Sequence, residues 1–179
     1  MKVAGVDPSI ASTGVGWITA YRVQTARIRS KAVGQSLDDQ LDRLTSQAAN
    51  VVEIVGNLMP DLIVIEGPSH NSTSSSAHMV AGYWWLLVRG LRDWAPVAVV
   101  PPATLKKFTT SNGRADKADM VAAVLEGFDL DVKDDEADAL ALAVMGAEHL
   151  GMFYVGGFPS MFRGSLAKAQ WPSKREMDR

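Results

Sequence analysis

Four carboxylates in this chain are spaced so that they could hold divalent metal ions. Asp7 closes the apolar run Val3-Ala4-Gly5-Val6, and Glu66 closes Leu62-Ile63-Val64-Ile65. Each is followed at once by a breaker, Pro8 in the first case and Gly67-Pro68 in the second. Apolar runs of this length, bounded by turn residues, read as buried strands of a parallel sheet. An acid at the last position of such a strand lies at the carboxyl edge, where open α/β sheets bind their ligands. Neighbouring strands would set Asp7 beside Glu66. Asp135 and Asp138 stand three residues apart at the start of an alanine-rich segment, so a helix presents both on one face. Carboxylates gathered this closely cannot all stay ionised without cations. Hard divalent ions with oxygen ligands suit them best, and the pattern points to a metal-dependent enzyme.

The rest of the chain must position these acids. Three strands open it, at about Lys2 to Asp7, Val15 to Ala20 and Arg22 to Ser30, the third antiparallel with one wet side. Ser36 and Asp39 form a capping box for a helix over Leu37 to Asn57, with Leu37, Leu41, Leu44, Ala48, Val51 and Val55 as its buried stripe. Pro60 stops it, and Asp61 to Glu66 is the next strand. Residues 67–76 are too polar to bury and read as a loop beside Glu66. A second helix spans Ala77 to Trp94, with Val80, Trp84, Leu87 and Leu91 on one face and Tyr83, Trp85 and Val88 widening it. That surface is too broad for one buried side, and a homodimer through this helix is the expectation. Val97 to Val100 is a strand. Ala103 to Phe108 is a short helix carrying Lys106 and Lys107, and Ala115 to Gly127 is a helix with Met120, Val121, Val124 and Leu125 inward. The last regular helix runs from Asp134 to about Leu150, with Leu140, Val144 and Ala147 as its stripe. Its acidic first turn suits the positive helix N-terminus. Beyond it, Phe153, Phe158, Phe162 and Trp171 show no trustworthy period.

At 179 residues the chain fits one domain with a real core. It has no cysteine, which excludes disulfides, thiol catalysis and Cys-ligated zinc and suits a reducing cytoplasm. No leader or membrane-length apolar run is evident, so a cytoplasmic protein without membrane partners is expected. Charge is divided unevenly. There are 13 basic and 18 acidic residues up to Leu150 (net −5), and five basic against two acidic beyond it (net +3). The expected organisation is a catalytic domain at 1–150 and a basic C-terminal tail at 151–179, partly disordered. The element order gives an α/β class with a mixed central sheet and helices on both faces, the layout of the ribonuclease H-like fold.

At this point the residues resemble a known family. Gly5-Val6-Asp7-Pro8-Ser9 with Thr13-Gly14-Val15-Gly16 is similar to the opening of the RuvC-type Holliday-junction resolvases. Ile63-Val64-Ile65-Glu66 resembles their second acidic strand, and Asp135-Glu136-Ala137-Asp138-Ala139-Leu140-Ala141 their closing D-x-x-D-A-L-A motif. Gly113-Arg114-Ala115-Asp116-Lys117 resembles their basic segment before the penultimate helix. The likeness runs in order from about Lys2 to Glu148. It implies a homodimeric endonuclease that nicks a four-way DNA junction symmetrically, using two Mg²⁺ ions per site, with Mn²⁺ able to substitute. Asp7, Glu66, Asp135 and Asp138 would hold the metals. Lys117 and Lys106 match functional basic positions of the family, Arg114 is a further DNA contact of that kind, and His70, in the loop over the site, would touch DNA. The segment Gly67-Pro68-Ser69-His70 lacks the aromatic residue that cellular members often place there to stack on a junction base. Such departures fit a phage-encoded member.

Other readings compete. A nuclease of the same fold could act on forks, flaps or RNA, since the acids alone do not separate these substrates. A catalytically idle junction-binding protein would gain nothing from acids gathered near phosphates. The Asp7-to-Gly16 segment also resembles a phosphate loop of actin-like kinases, but those need two duplicated domains and this chain has no repeat.

Overall fold

The computed structural model describes residues 1–32, 34–68 and 77–177. Strands β1 (Lys2–Asp7), β2 (Ser12–Thr19) and β3 (Val23–Arg29) form an antiparallel meander. Two further strands, β4 (Leu62–Glu66) and β5 (Val97–Val100), join parallel to β1, so the sheet runs β3-β2-β1-β4-β5. Both faces are covered. Helices α1 (Leu37–Leu58) and α2 (Ala77–Leu91) close one side over Ala4, Val6, Val15, Ile63 and Ile65. Helices α3 (Pro102–Thr110), α4 (Lys117–Phe128) and α5 (Asp134–His149) close the other over Val3, Ile18, Leu62 and Val64. The central strands are apolar throughout because neither face meets water.

Register decides where the chemistry lies. Val6 pairs with Ile65 across β1 and β4, so the next residues, Asp7 and Glu66, end their strands side by side. Alternation then sends both toward the face that α5 covers, along with Val3 and Val64. Helix α5 lies unusually close to the sheet there. A Cβ added to Gly14 would stand 1.9 Å from the Asp135 carbonyl oxygen, and one added to Gly5 would stand 2.0 Å from that of Ala139. Glycine on the strands and alanine on the helix therefore let the two backbones approach each other.

Four expectations change. In α1 the capping box of Ser36 and Asp39 forms, but Leu37 and Leu41 are exposed and burial begins at Leu44. In α2, Tyr83, Trp84, Leu87 and Leu91 are buried while Val80 and Trp85 face outward. In α4, Asp116 caps the helix, which begins at Lys117, and Leu125 is half exposed. In α5 there is no stripe at all, because every residue from Ala139 to Ala147 is buried.

The segment after Gly151 packs on the same layer. Phe158 is buried edge-on against Phe128, ring centres 5.3 Å apart, and against Phe108 at 6.2 Å. Phe162 N–H donates to the Phe108 carbonyl at 2.8 Å. Trp171 stacks flat on His149 at 3.8 Å, and partial burial lowers the His149 pKa. Gln170 exchanges two backbone hydrogen bonds with Val99 of β5. Phe158→Ala is expected to destabilise the whole chain by about 3–5 kcal/mol in urea unfolding. A change below about 1 kcal/mol would mean that the segment merely rests on the surface.

Candidate active site

Three acids from three elements lie at the carboxyl edge of the sheet, near enough to repel one another: Asp7 from the end of β1, Glu66 from the end of β4 and Asp138 from the second turn of α5. Burial pushes the Asp7 carboxyl up to about 7, and the nearby charges of Asp138, Asp135 and Asp134 push the same way. Glu66 rises to about 9 through burial and the charges of Asp7 and Asp138. Asp138 rises to about 6 mainly through burial, with Lys106 opposing the shift. Each acid thus resists ionising because it is partly withdrawn from water and surrounded by like charge.

The site is short of positive charge. Lys106 acts on Glu66 and Asp138, and Lys117 on Asp7 and Asp138, both through space. The Lys117 ammonium is hydrogen-bonded to Asp134, a neighbour that the sequence marked only as favouring the helix dipole. Among the described residues, no three ligand-type side chains converge as a finished metal cage. Yet Asp138 Oδ1 is buried without any hydrogen-bond donor. Such an orphaned oxygen, beside two other half-buried carboxylates, fits a hard divalent ion.

Asp135 stands differently. It is buried at the first turn of α5, yet it turns toward β3 and β2, where Arg27 Nε donates to its carboxylate at 2.8 Å and Ser12 Oγ donates as well. Neither Arg27 nor Ser12 was singled out by sequence reasoning. Arg114 is exposed in the turn before α4. His70 lies outside the described residues.

The surroundings explain how the edge is built. Trp84 Nε1 of α2 donates to the Glu66 carbonyl at 2.8 Å, which fixes the end of β4. Beneath the turn after Asp7, buried Thr13 hydrogen-bonds Tyr83 of α2 at 2.6 Å and the Ser9 carbonyl at 2.8 Å. A hollow of about 570 Å³ lies elsewhere, at the far end of α5 beside Glu148, Tyr154 and Arg163. Asp7, Glu66 and Asp138 do not line it.

Comparison with known proteins agrees with this geometry. The family model described as crossover junction endodeoxyribonuclease RuvC matches residues 3–146. Relatives of that name include one from Clavibacter michiganensis, 31% identical over 87% of this chain and 80% of its own length. Another, from Synechococcus, is 29% identical over 82% of this chain and 97% of its own. Among solved structures, Thermus thermophilus RuvC in complex with Holliday junction substrate superimposes with a TM-score of 0.69 at 21% identity, covering 87% of this chain and 99% of that one. Another structure of Thermus thermophilus RuvC gives 0.64 at 21% identity, covering 88% and 99%. The shared architecture is the ribonuclease H-like nuclease fold that the element order implied. No helix among the described residues is long and apolar enough to cross a membrane. This chain belongs to the RuvC family of crossover junction endodeoxyribonucleases.

Proposed function

We propose that the chain resolves four-way DNA junctions by paired symmetric nicks, as a homodimeric hydrolase that depends on divalent metal. The observation that carries this reading is the half-buried trio Asp7, Glu66 and Asp138, with its raised pKa values and the orphaned oxygen of Asp138, in a chain of this family. The metal would be held by Asp7, Glu66 and Asp138, with Asp135 beside them. Mg²⁺ is the proposed ion, two per site, with Mn²⁺ able to substitute. When bound, such ions neutralise the scissile phosphate and activate the attacking water.

The chain's own residues do the rest. The acids, rigid at strand ends and on a helix pinned by glycine contacts, fix where the phosphate must sit. Lys106 and Lys117 supply cationic charge at the rim, where it offsets the incoming phosphodiester. Arg114 and His70 are proposed as DNA contacts. All the proposed catalytic groups lie within residues 1–150, and the basic segment 151–179 is proposed as additional phosphate-facing surface.

The dimer is proposed to form through the outer face of α2, where Trp85 and Leu86 are exposed. Trp85→Glu would put a charge into that contact. It is expected to leave the monomer fold intact and to shift the chain from dimer to monomer in light scattering at micromolar concentration. A wild-type chain that is already monomeric would dispose of this interface.

The deciding experiment is cleavage of a labelled immobile four-way junction with Mg²⁺, alongside duplex, fork and RNA/DNA hybrid, by wild type and Asp7→Asn. Paired symmetric nicks confined to the junction and lost in the variant are expected. Equal cutting of forks and flaps would make it a general branched-DNA nuclease. Tight junction binding without cleavage would leave a binding protein.

A further inference from the structure

Arg27 occupies a place that nothing in the proposed reaction assigns. It lies on β3 opposite Gly14 of β2. Because Gly14 has no side chain, the guanidinium can cross β2 and reach the first turn of α5, which rests directly on that glycine. There Arg27 Nε donates to the Asp135 carboxylate at 2.8 Å, and Arg27 Nη2 donates to Ser12 Oγ at 3.2 Å. Ser12 Oγ in turn donates to Asp135, and the Glu136 N–H donates to the other carboxylate oxygen at 3.0 Å. The arginine side chain is 23% exposed and its partner 8%. Among the described residues, it is the only cation hydrogen-bonded to any of the four motif acids; the two lysines act on them through space.

We infer that Arg27, seconded by Ser12, is a positioning residue that sets the orientation of Asp135 and so tunes the metal site. This rests on the proposed metal-dependent function. An ionised carboxylate offers about four acceptor directions. Three are taken by Arg27, Ser12 and the Glu136 amide, so about one remains to point into the cluster. Asp135 is thereby limited to a single-oxygen contact with a cation, and its rotation at the helix end is stopped. A planar guanidinium does this better than an ammonium, because its donors lie in a fixed fork that reaches the carboxylate and the serine together. Supporting bonds to metal-holding carboxylates typically change metal affinity or activity by about 10- to 100-fold when removed.

The test uses full-length wild type, Arg27→Gln, Arg27→Lys, Asp135→Asn and the double variant Arg27→Gln/Asp135→Asn, with thermal melts to show that each folds. Manganese(II) affinity is measured calorimetrically without DNA, and junction cleavage gives kcat and KM. Arg27→Gln is expected to weaken manganese binding and lower kcat by about 10- to 100-fold, with KM within about twofold of wild type. Arg27→Lys should recover part of both losses. In the Asp135→Asn background, Arg27→Gln should change either quantity by no more than about twofold. Unchanged manganese affinity in Arg27→Gln would overturn the inference, as would a loss of equal size without Asp135. A rise in KM alone would also overturn it, making Arg27 a phosphate contact. If wild type cuts no junction, the resolvase reading falls, and the manganese titration still decides for or against Arg27.

Discussion

Metal-free protein is expected to lose thermal stability as the pH is raised from about 5 to about 9, and Mg²⁺ is expected to restore most of it at the alkaline end. The sign follows from three carboxyls whose folded pKa values lie above their ordinary ones: Asp138 at about 6, Asp7 at about 7 and Glu66 at about 9. Between the ordinary and the folded pKa the native state binds more protons than the unfolded chain, so stability falls with rising pH. The stabilisation is fully present below about pH 4 and is lost as the pH passes the folded values. Asp7→Asn removes one charge from this repulsive set. It should therefore flatten part of the pH profile and raise the melting temperature of the metal-free protein at alkaline pH. The same substitution should lower junction cleavage by about 10³-fold or more, since about 4 kcal/mol of charge stabilisation is lost and each 1.36 kcal/mol is tenfold. Calorimetric melts across this pH range in chelator and in Mg²⁺, paired with cleavage assays, read both effects. A metal-free profile that stays flat would mean that the acids are not buried together.

Gly14→Ala should be nearly as damaging, through geometry instead of charge. The added methyl would stand 1.9 Å from the Asp135 carbonyl oxygen and 2.5 Å from its carbon, both backbone atoms. Nothing there can rotate aside. The whole N-terminal turn of α5 must lift, taking Asp135 and Asp138 away from Asp7. Overpacking of a tight interior costs about 1–3 kcal/mol and occasionally more, and misplacing reacting groups by about 1 Å can cost about 10²-fold in rate. The expected result is a melting temperature lowered by several degrees and cleavage reduced by about 10²-fold or more. Val15→Ala on the opposite face of the same strand serves as a control. It should lose stability through a cavity yet retain far more activity for the stability it gives up.

The acids were legible because each is an exception to its surroundings. Asp7 and Glu66 interrupt apolar runs at a turn, and Asp138 sits among small residues where an idle charge would be expensive to bury. The alternation of strands and helices was legible for the same reason that it folds: period-two and 3.6-residue patterns report which faces are dry. The contact between Arg27 and Asp135 was not, because it depends on β3 pairing Arg27 with Gly14, and cross-strand register is not written in either strand alone. Helix α5 misled in another way. Alanine contributes little to an amphipathic pattern, so a helix buried on every side looked like one with a narrow stripe. Helix α1 shows the converse, since Leu37 and Leu41 keep the apolar period yet stay exposed, and burial begins only at Leu44.

The pair of backbone bonds between Gln170 and Val99 has a consequence for how this molecule keeps to itself. A five-stranded open sheet ends in two rows of unpaired amides and carbonyls, either of which can recruit a strand from another chain. Here the two ends are guarded by different means. On the β3 side, the exposed Arg22 and Arg29 put charge along the border, which discourages pairing. On the β5 side the strand is four residues long and largely apolar, with no charge of its own, and the returning C-terminal segment occupies the place that a foreign strand would take. A chain cut short before Gln170 would keep every catalytic acid and still bare an adhesive border, exchanging a well-behaved nuclease for one prone to aggregate.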